Sequence, residues 1–433
     1  MSARFPPAAA LLLLAIVSLL AAAPAVILAD EADDQYAVAA THYTRGQWKY
    51  AAEGFASYLR DYPTHSQAGE AVFYLGEALL QLGQYEGAQG HFEEYLKRQP
   101  EGRLARSALF RSAEAAYLGG RRAQAQPGLE QYLAKYPQDK LSAYVLSYLA
   151  DLAMEGGDAA AAARYCQQGL ESHGQSPLQD EFRFGLARAL EKLGESVAAE
   201  AYYLALAGKS ASPLADDAQF RLGAQQYAEG RFDEAVGTFE TFEKRWPESP
   251  LLATVRMGRG WALVKLGRLD EAASAFQTIV DDPQRGPEAR YWLGLTLKSQ
   301  EQWRPAADTL LQAAAASPQH KLVTAMRVQA GMALMHAGDL PAAEAQFDAV
   351  AANDAAENEW RDEALRGRLQ VALQKGDGET VDRLAARFNE QFASSPLRSD
   401  VERIRAQSLL ERKDYRRAIE VLRPLVDKGA EGP

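Results

Sequence analysis

The sequence predicts an all-α fold, an elongated solenoid of about eleven tandem helix-turn-helix units. Three observations carry this. Ala51, Ala88, Ala125, Ala162 and Ala199 stand 37 residues apart, and Ala235, Ala272, Ala306, Ala343 and Ala418 continue the series with Val381 as its one exception. Twelve residues before each stands a second small residue: Ala39, Gly76, Ala113, Ala150, Ala187, Gly223, Gly260, Gly294, Gly331 and Ala406, with Leu369 the exception. No strand alternation of useful length occurs. Two small positions locked in phase over about 370 residues mark a tandem repeat, and periods of about 20–50 residues mean stacked units that bury a continuous core.

One unit, Gly69 to Pro100, justifies each element. Val72, Leu75, Gly76 and Leu79 recur at helical spacing and draw one helix face. Gly83-Gln84-Tyr85 breaks that helix, because glycine enters the left-handed conformation that ends it. Ala88, Phe92, Tyr95 and Leu96 draw a second face, and Pro100 stops it. The same turn recurs at Gly46, Gly194, Gly230, Gly267 and Gly338. The small pair lets the two helices approach closely.

These residues resemble the tetratricopeptide repeat family. The resemblance rests on Leu75-Gly76, Leu222-Gly223 and Leu293-Gly294, on the turn glycine with an aromatic two residues on, on the alanine, on Phe55, Phe92, Phe239, Phe276 and Phe347, and on Pro63, Pro100, Pro137, Pro247 and Pro318. It covers roughly residues 32–426. It implies a right-handed superhelix whose first helices line a concave groove. Most units are three residues longer than the usual 34. That longer form resembles the family's periplasmic branch, the type of the TolA-binding cell-division coordinator and of the outer-membrane assembly lipoprotein. No cysteine lies near the N-terminal segment, and no heptad segment lies between it and the first repeat, so the chain departs from both.

Taken in order, residues 1–29 read as a secretory signal peptide: Arg4, an apolar run from Leu11 to Leu20, then Ala23-Pro24-Ala25 or Ile27-Leu28-Ala29 as cleavage site. The alternative is an N-terminal membrane anchor over Leu11–Ala29. Cleavage would leave a periplasmic or secreted protein with no direct membrane insertion. Residues 32–426 are the solenoid, one array without a linker, and 427–433 a short tail. Unit ten, with Leu369, Val381 and Gly376-Asp377-Gly378, is expected to be a loose joint. In unit eleven, Pro424 is expected to interrupt the last helix and leave Ile419, Leu422 and Leu425 uncovered. Self-association or further chain at that end is therefore expected.

The net charge of −11 makes nucleic acid and anionic lipid poor partners. Cys166 occupies the slot of Phe92 and Phe239 and reads as a small core hydrophobe. The six histidines show no metal-ligand spacing, and HExxH, GxSxG, CxxC and phosphate-binding glycine loops are absent. The sequence therefore predicts no catalytic residue, no cofactor and no metal.

What remains is binding. If the first helices line the groove, its strip includes Tyr43, Phe73, Glu77, Phe110, Glu114, Tyr117, Phe184, Arg188, Phe220, Tyr227, Trp261 and Tyr291, with Tyr36, Tyr144, Met257, Met332 and Met335 alongside. Aromatics, Met and Arg are the side chains enriched where proteins bind one another. Glu77, Glu114, Asp151 and Glu191 against Arg188 point to a basic or neutral peptide. The expected function is a non-enzymatic protein-protein interaction scaffold of the bacterial envelope. The alternative is an enzyme-associated superhelix, or peptidoglycan-binding accessory, like the helical ring of soluble lytic transglycosylases.

Overall fold

The computed structural model describes residues 31–352 and 359–430, with side chains through residue 425. The proposed signal segment and most of the loop between units nine and ten lie outside the described residues. Among the described residues there are twenty-two α-helices and no strand. They run in pairs: α1 (Glu31–Thr44) and α2 (Trp48–Asp61), α3 (Ala68–Gln81) and α4 (Tyr85–Arg98), α5 (Ala105–Leu118) and α6 (Arg122–Lys135), α7 (Ser142–Glu155) and α8 (Ala159–Ser172), α9 (Gln179–Leu193) and α10 (Ser196–Ala207), and α11 (Ala215–Ala228) and α12 (Phe232–Arg245). Then follow α13 (Leu252–Lys265) and α14 (Leu269–Gln277), α15 (Gly286–Ser299) and α16 (Trp303–Ala316), α17 (Val323–His336) and α18 (Leu340–Ala351), α19 (Arg361–Gln374) and α20 (Gly378–Gln391), and α21 (Arg398–Glu411) and α22 (Tyr415–Ala430). Contacts between Cα atoms divide the chain into two compact units, residues 1–218 and 219–433.

Each pair is joined by one tight turn. In the second repeat, Gln84 N–H donates to Leu79 O at 2.9 Å and Gly83 N–H to Leu80 O at 3.1 Å, the two bonds that satisfy orphan carbonyls at a helix end. This turn needs a residue at positive φ. Glycine supplies it in nine of the repeats, whereas Glu301 and Lys413 hold it at φ of 60° and 61° in the eighth and eleventh. Asp158, Asp339 and Asp377 follow the glycine and accept from the N–H groups of Ala161, Ala342 and Thr380 at 2.8, 3.2 and 3.0 Å, capping the second helix.

The small residue of the first helix is explained by what lies on it. A Cβ built on Gly260 would come within 2.4 Å of the Phe276 ring, and one on Gly223 within 2.4 Å of Phe239. The phenylalanine sixteen residues on is thus the large half of a small-large pair. Repeat ten reverses the pair. Leu369 stands in the small slot, Ala385 stands where the phenylalanine would be, and both are fully buried in one cluster with Val381 and Phe388. The volume is exchanged across the helix pair, so both positions are filled by buried side chains. A Cβ built on Gly378 would come within 2.5 Å of the Arg412 side chain. Asp382 binds Arg405, Arg412 and Arg417 at 3.2, 2.9 and 3.3 Å, tying repeat ten to eleven.

Two further expectations change. The last helix runs through Pro424 to Ala430 rather than stopping there, which moves the start of the tail. Of its apolar residues, Ile419 is exposed and Leu422 and Leu425 are half-buried. Cys166 is buried, and burial pushes its thiol up to about 12, as fits a core residue.

Candidate partner-binding strip

The strip positions fall at matching places on successive first helices, because the repeat holds their phase. In the first unit, packing has claimed several of them. Phe73 lies 5.4 Å from Phe92 and 5.8 Å from Tyr95 between ring centroids, and Phe110 lies 5.7 Å from Tyr132. Both are buried and present no surface to a partner. Glu77 and Glu114 are buried too, at 4% and 1% exposure. The Arg111 guanidinium sits between them. Its Nε is 2.8 Å from Glu77 Oε1, out of line for a hydrogen bond, and its Nη1 donates to Glu114 Oε2 at 2.5 Å. The Tyr148 hydroxyl donates to Glu114 Oε1 at 2.9 Å.

This cluster holds two carboxylates against one guanidinium. Burial, the larger cause, raises the Glu77 carboxyl, the Arg111 charge opposes that, and the Glu114 charge adds to it. Tyr43, half-buried against Trp48 and Tyr74, has its hydroxyl raised by burial and then by Glu77. Tyr117 stacks on Tyr148 at 4.4 Å and donates a short hydrogen bond to Asp151. Tyr203 donates to Glu191 at 2.8 Å. The acidic side chains that pointed to a basic peptide are therefore engaged within the chain, and that expectation loses its basis. Tyr36, Tyr43, Tyr117, Tyr144, Phe184 and Arg188 stay half-buried.

In the second unit the same positions are more open. Phe220, Tyr227, Trp261, Tyr291 and Met332 are all half-buried, whereas Met257 and Met335 are buried. Trp261 and Tyr291 each meet the Trp292 ring edge-on, at 5.9 and 5.7 Å. Lys298 extends this strip. Its amine is 2.5 Å from the amide oxygen of Gln329, and burial lowers its pKa.

Sequence reasoning missed Arg111, Tyr148, Trp292 and Lys298. Arg111 was discoverable, because Glu77 and Glu114 lie 37 residues apart at one position of the repeat. Two carboxylates there call for a cation, and Arg111 precedes Glu114 by one helical turn. Among the described residues no three His, Cys, Asp or Glu side chains converge as a metal site, and no helix is long and apolar enough to cross a membrane.

Solved structures resemble the chain at low identity. The Naa15 complex with Naa10 bound to HypK-THB aligns over 93% of this chain at 15% identity and a TM-score of 0.38, and the chain spans 64% of that one. A tetratricopeptide repeat protein from Parabacteroides merdae aligns over 69% of this chain and 98% of its own, at 13% identity and 0.35. The C-terminal part of a repeat protein from Cytophaga hutchinsonii aligns over 60% and 95%, at 15% and 0.41. No curated protein matches the sequence. The model of the Tetratricopeptide repeat family matches residues 36–103, 75–140, 148–216, 198–250, 220–290 and 257–321. Those overlapping matches cover well over half of the chain, in the register that the small residues and the turns define, and the chain belongs to the tetratricopeptide repeat family.

Proposed function

We propose that this protein is a non-enzymatic scaffold of the bacterial envelope that grips a partner protein along the first helices of its repeats. The observation that carries the reading is the half-open run of Phe220, Tyr227, Trp261, Tyr291 and Met332. Large side chains that keep part of their surface in water, on the first helices of consecutive repeats, form the kind of patch where a few aromatic anchors supply most of the binding energy. The family to which the chain belongs supports protein binding as the general role.

The envelope location rests on residues 1–29, and assignment to the periplasmic branch on the longer repeat. Export is tested by N-terminal sequencing of the protein from a periplasmic fraction. A new terminus at Val26 or Asp30 supports it, and an intact Met1 in the membrane pellet contradicts it. Binding is tested by capture from envelope extract with the wild type and with Tyr291→Ala. The reading expects one stoichiometric protein that the substitution releases. Retention on peptidoglycan with no protein partner would favour the glycan-binding alternative.

A further inference from the structure

One side chain breaks the pattern of the open strip. Four residues after the small position, the first helices of the second unit carry Tyr227, Val264, Met335, Leu373 and Leu410, whereas α15 carries Lys298. Lys298 lies seven residues after Tyr291, so the two share one face of α15, two turns and about 10.5 Å apart. Its Nζ is 2.5 Å from the Gln329 amide oxygen and 3.8 Å from the Met332 sulfur, both on α17. An ammonium has three N–H donors. One meets a neutral amide, one a weak acceptor, and among the described residues none meets a carboxylate. Glu363, whose charge favours the ammonium, is held by Arg366 at 2.5 Å. Burial lowers the Lys298 pKa, so the charge is already poorly solvated before anything covers the strip.

We propose that the partner segment gripped by this strip carries an acidic side chain, Asp or Glu, seated on Lys298 between apolar side chains that pack on Tyr291 and Met332. The proposal rests on the reading that the strip binds a partner protein, and adds what that partner must contain. A partner lying on Tyr291 and Met332 also covers Lys298, because the Met332 sulfur touches its amine. Covering strips the water from the remaining N–H groups, and a charge buried without an opposite charge is strongly unfavourable. A carboxylate completes the donors with a charge-assisted hydrogen bond. An amide or hydroxyl would satisfy one donor and leave the charge uncompensated, and a basic group would be repelled. Purely apolar segments are therefore disfavoured, which gives the aromatic strip a selectivity that buried area alone does not supply. Arg366 does not compete for the acid, since its own carboxylate, Glu363, stands three residues before it on α19.

The test is selection of a random-peptide phage library on the full chain and on its Lys298→Met, Lys298→Arg and Tyr291→Ala variants, with circular dichroism melting checking that each is folded. An enriched peptide is then synthesised with its acid and with Gln in that place, and both affinities are measured by fluorescence polarisation. The proposal expects the wild type to select sequences that set one Asp or Glu among aromatic or aliphatic residues. Lys298→Arg should select the same pattern, and Lys298→Met should select the apolar residues without the acid. Lys298→Met should weaken the acidic peptide more than about tenfold and leave the Gln peptide unchanged. Peptides that Tyr291→Ala releases but that carry no acid, or whose acid binds Lys298→Met equally well, would overturn the proposal and leave the strip as the binding surface. Acidic peptides that depend on Lys298 but not on Tyr291 would overturn it too, because the acid would then sit outside the strip. Selection of no peptide that depends on Tyr291 would overturn the reading of the strip and the proposal with it.

Discussion

One position of the repeat, that of Glu77 and Glu114 in the first unit and of Trp261 and Met332 in the second, is used in opposite ways. Along α3, α5 and α7 the inner side chains are drawn into the structure, where Glu77, Arg111, Glu114 and Tyr148 close on one another. On α11, α13 and α15, Tyr227, Trp261 and Tyr291 remain half-open, although Met257 between them is buried. The repeat register therefore fixes where a side chain sits, but its neighbours decide whether it packs or is presented. Glu77 at this position draws Arg111 from the next first helix, Glu114 shares that cation from its own helix, and both become structural. Trp261 and Tyr291, which meet Trp292 edge-on, are not wholly covered and keep a face available.

The largest expected effect tests the closed side. Arg111→Met leaves Glu77 and Glu114 buried side by side without their cation, and breaking a buried ion pair typically costs about 3–5 kcal/mol. Lys298→Met on the open side removes a half-buried amine held by an amide, Gln329, and should change stability by less than about 1 kcal/mol. Urea denaturation of the two variants measures the contrast, and equal losses would break it.

Next comes packing between the paired helices. Gly260→Ala drives a methyl into the Phe276 ring and should cost about 1–3 kcal/mol by overpacking. In repeat ten, Leu369→Ala opens a cavity opposite Ala385 and should cost about 2–5 kcal/mol, with Ala385→Leu restoring part of it. A double variant no more stable than the single one would mean that the two sites do not share volume.

A pH series separates the two strips more finely. The Glu77 carboxyl is raised above its ordinary 4.5, by burial first. A raised pKa means that its contribution to stability is fully present below that ordinary value and is lost as pH rises through the raised one. Relative to Glu77→Gln, the wild type should thus lose stability from acidic toward neutral pH, whatever slope the depressed carboxylates elsewhere give to both proteins. Parallel melting curves for the two proteins across the series would exclude a titrating Glu77.

The smallest effect concerns the turns. Lys413→Gly relieves a non-glycine residue at φ 61°, a conformation that disfavours a Cβ by about 1–2 kcal/mol. Part of that gain is offset by the wider freedom of glycine in the unfolded chain. A net rise of about 1 kcal/mol or less is expected in urea, and a loss would show that the turn is not strained.

Much of this fold is legible in the sequence, because the small residues, turn glycines and closing prolines each answer a backbone or close-packing requirement that recurs identically. Repeat ten shows that one position does not carry the packing alone. Leu369 is anomalous alone and ordinary once Ala385 is set against it. The strip was less legible. Helical phase placed Phe73, Phe110 and Trp261 at related positions, but exposure depends on neighbours from the adjoining repeats. Arg111 reaches Glu77 from 34 residues away, a relation between repeats that a face drawn within one helix does not contain.

The most direct measurement compares partner capture by two variants of the full chain. One carries Trp261→Ala and Tyr291→Ala in the open strip, the other Glu77→Gln in the closed cluster. Captured protein is quantified against the wild type, with melting confirming that both are folded. The account predicts that the first variant loses the partner and the second keeps it. Retention by the first with loss by the second would contradict it, and would place the binding surface in the first unit.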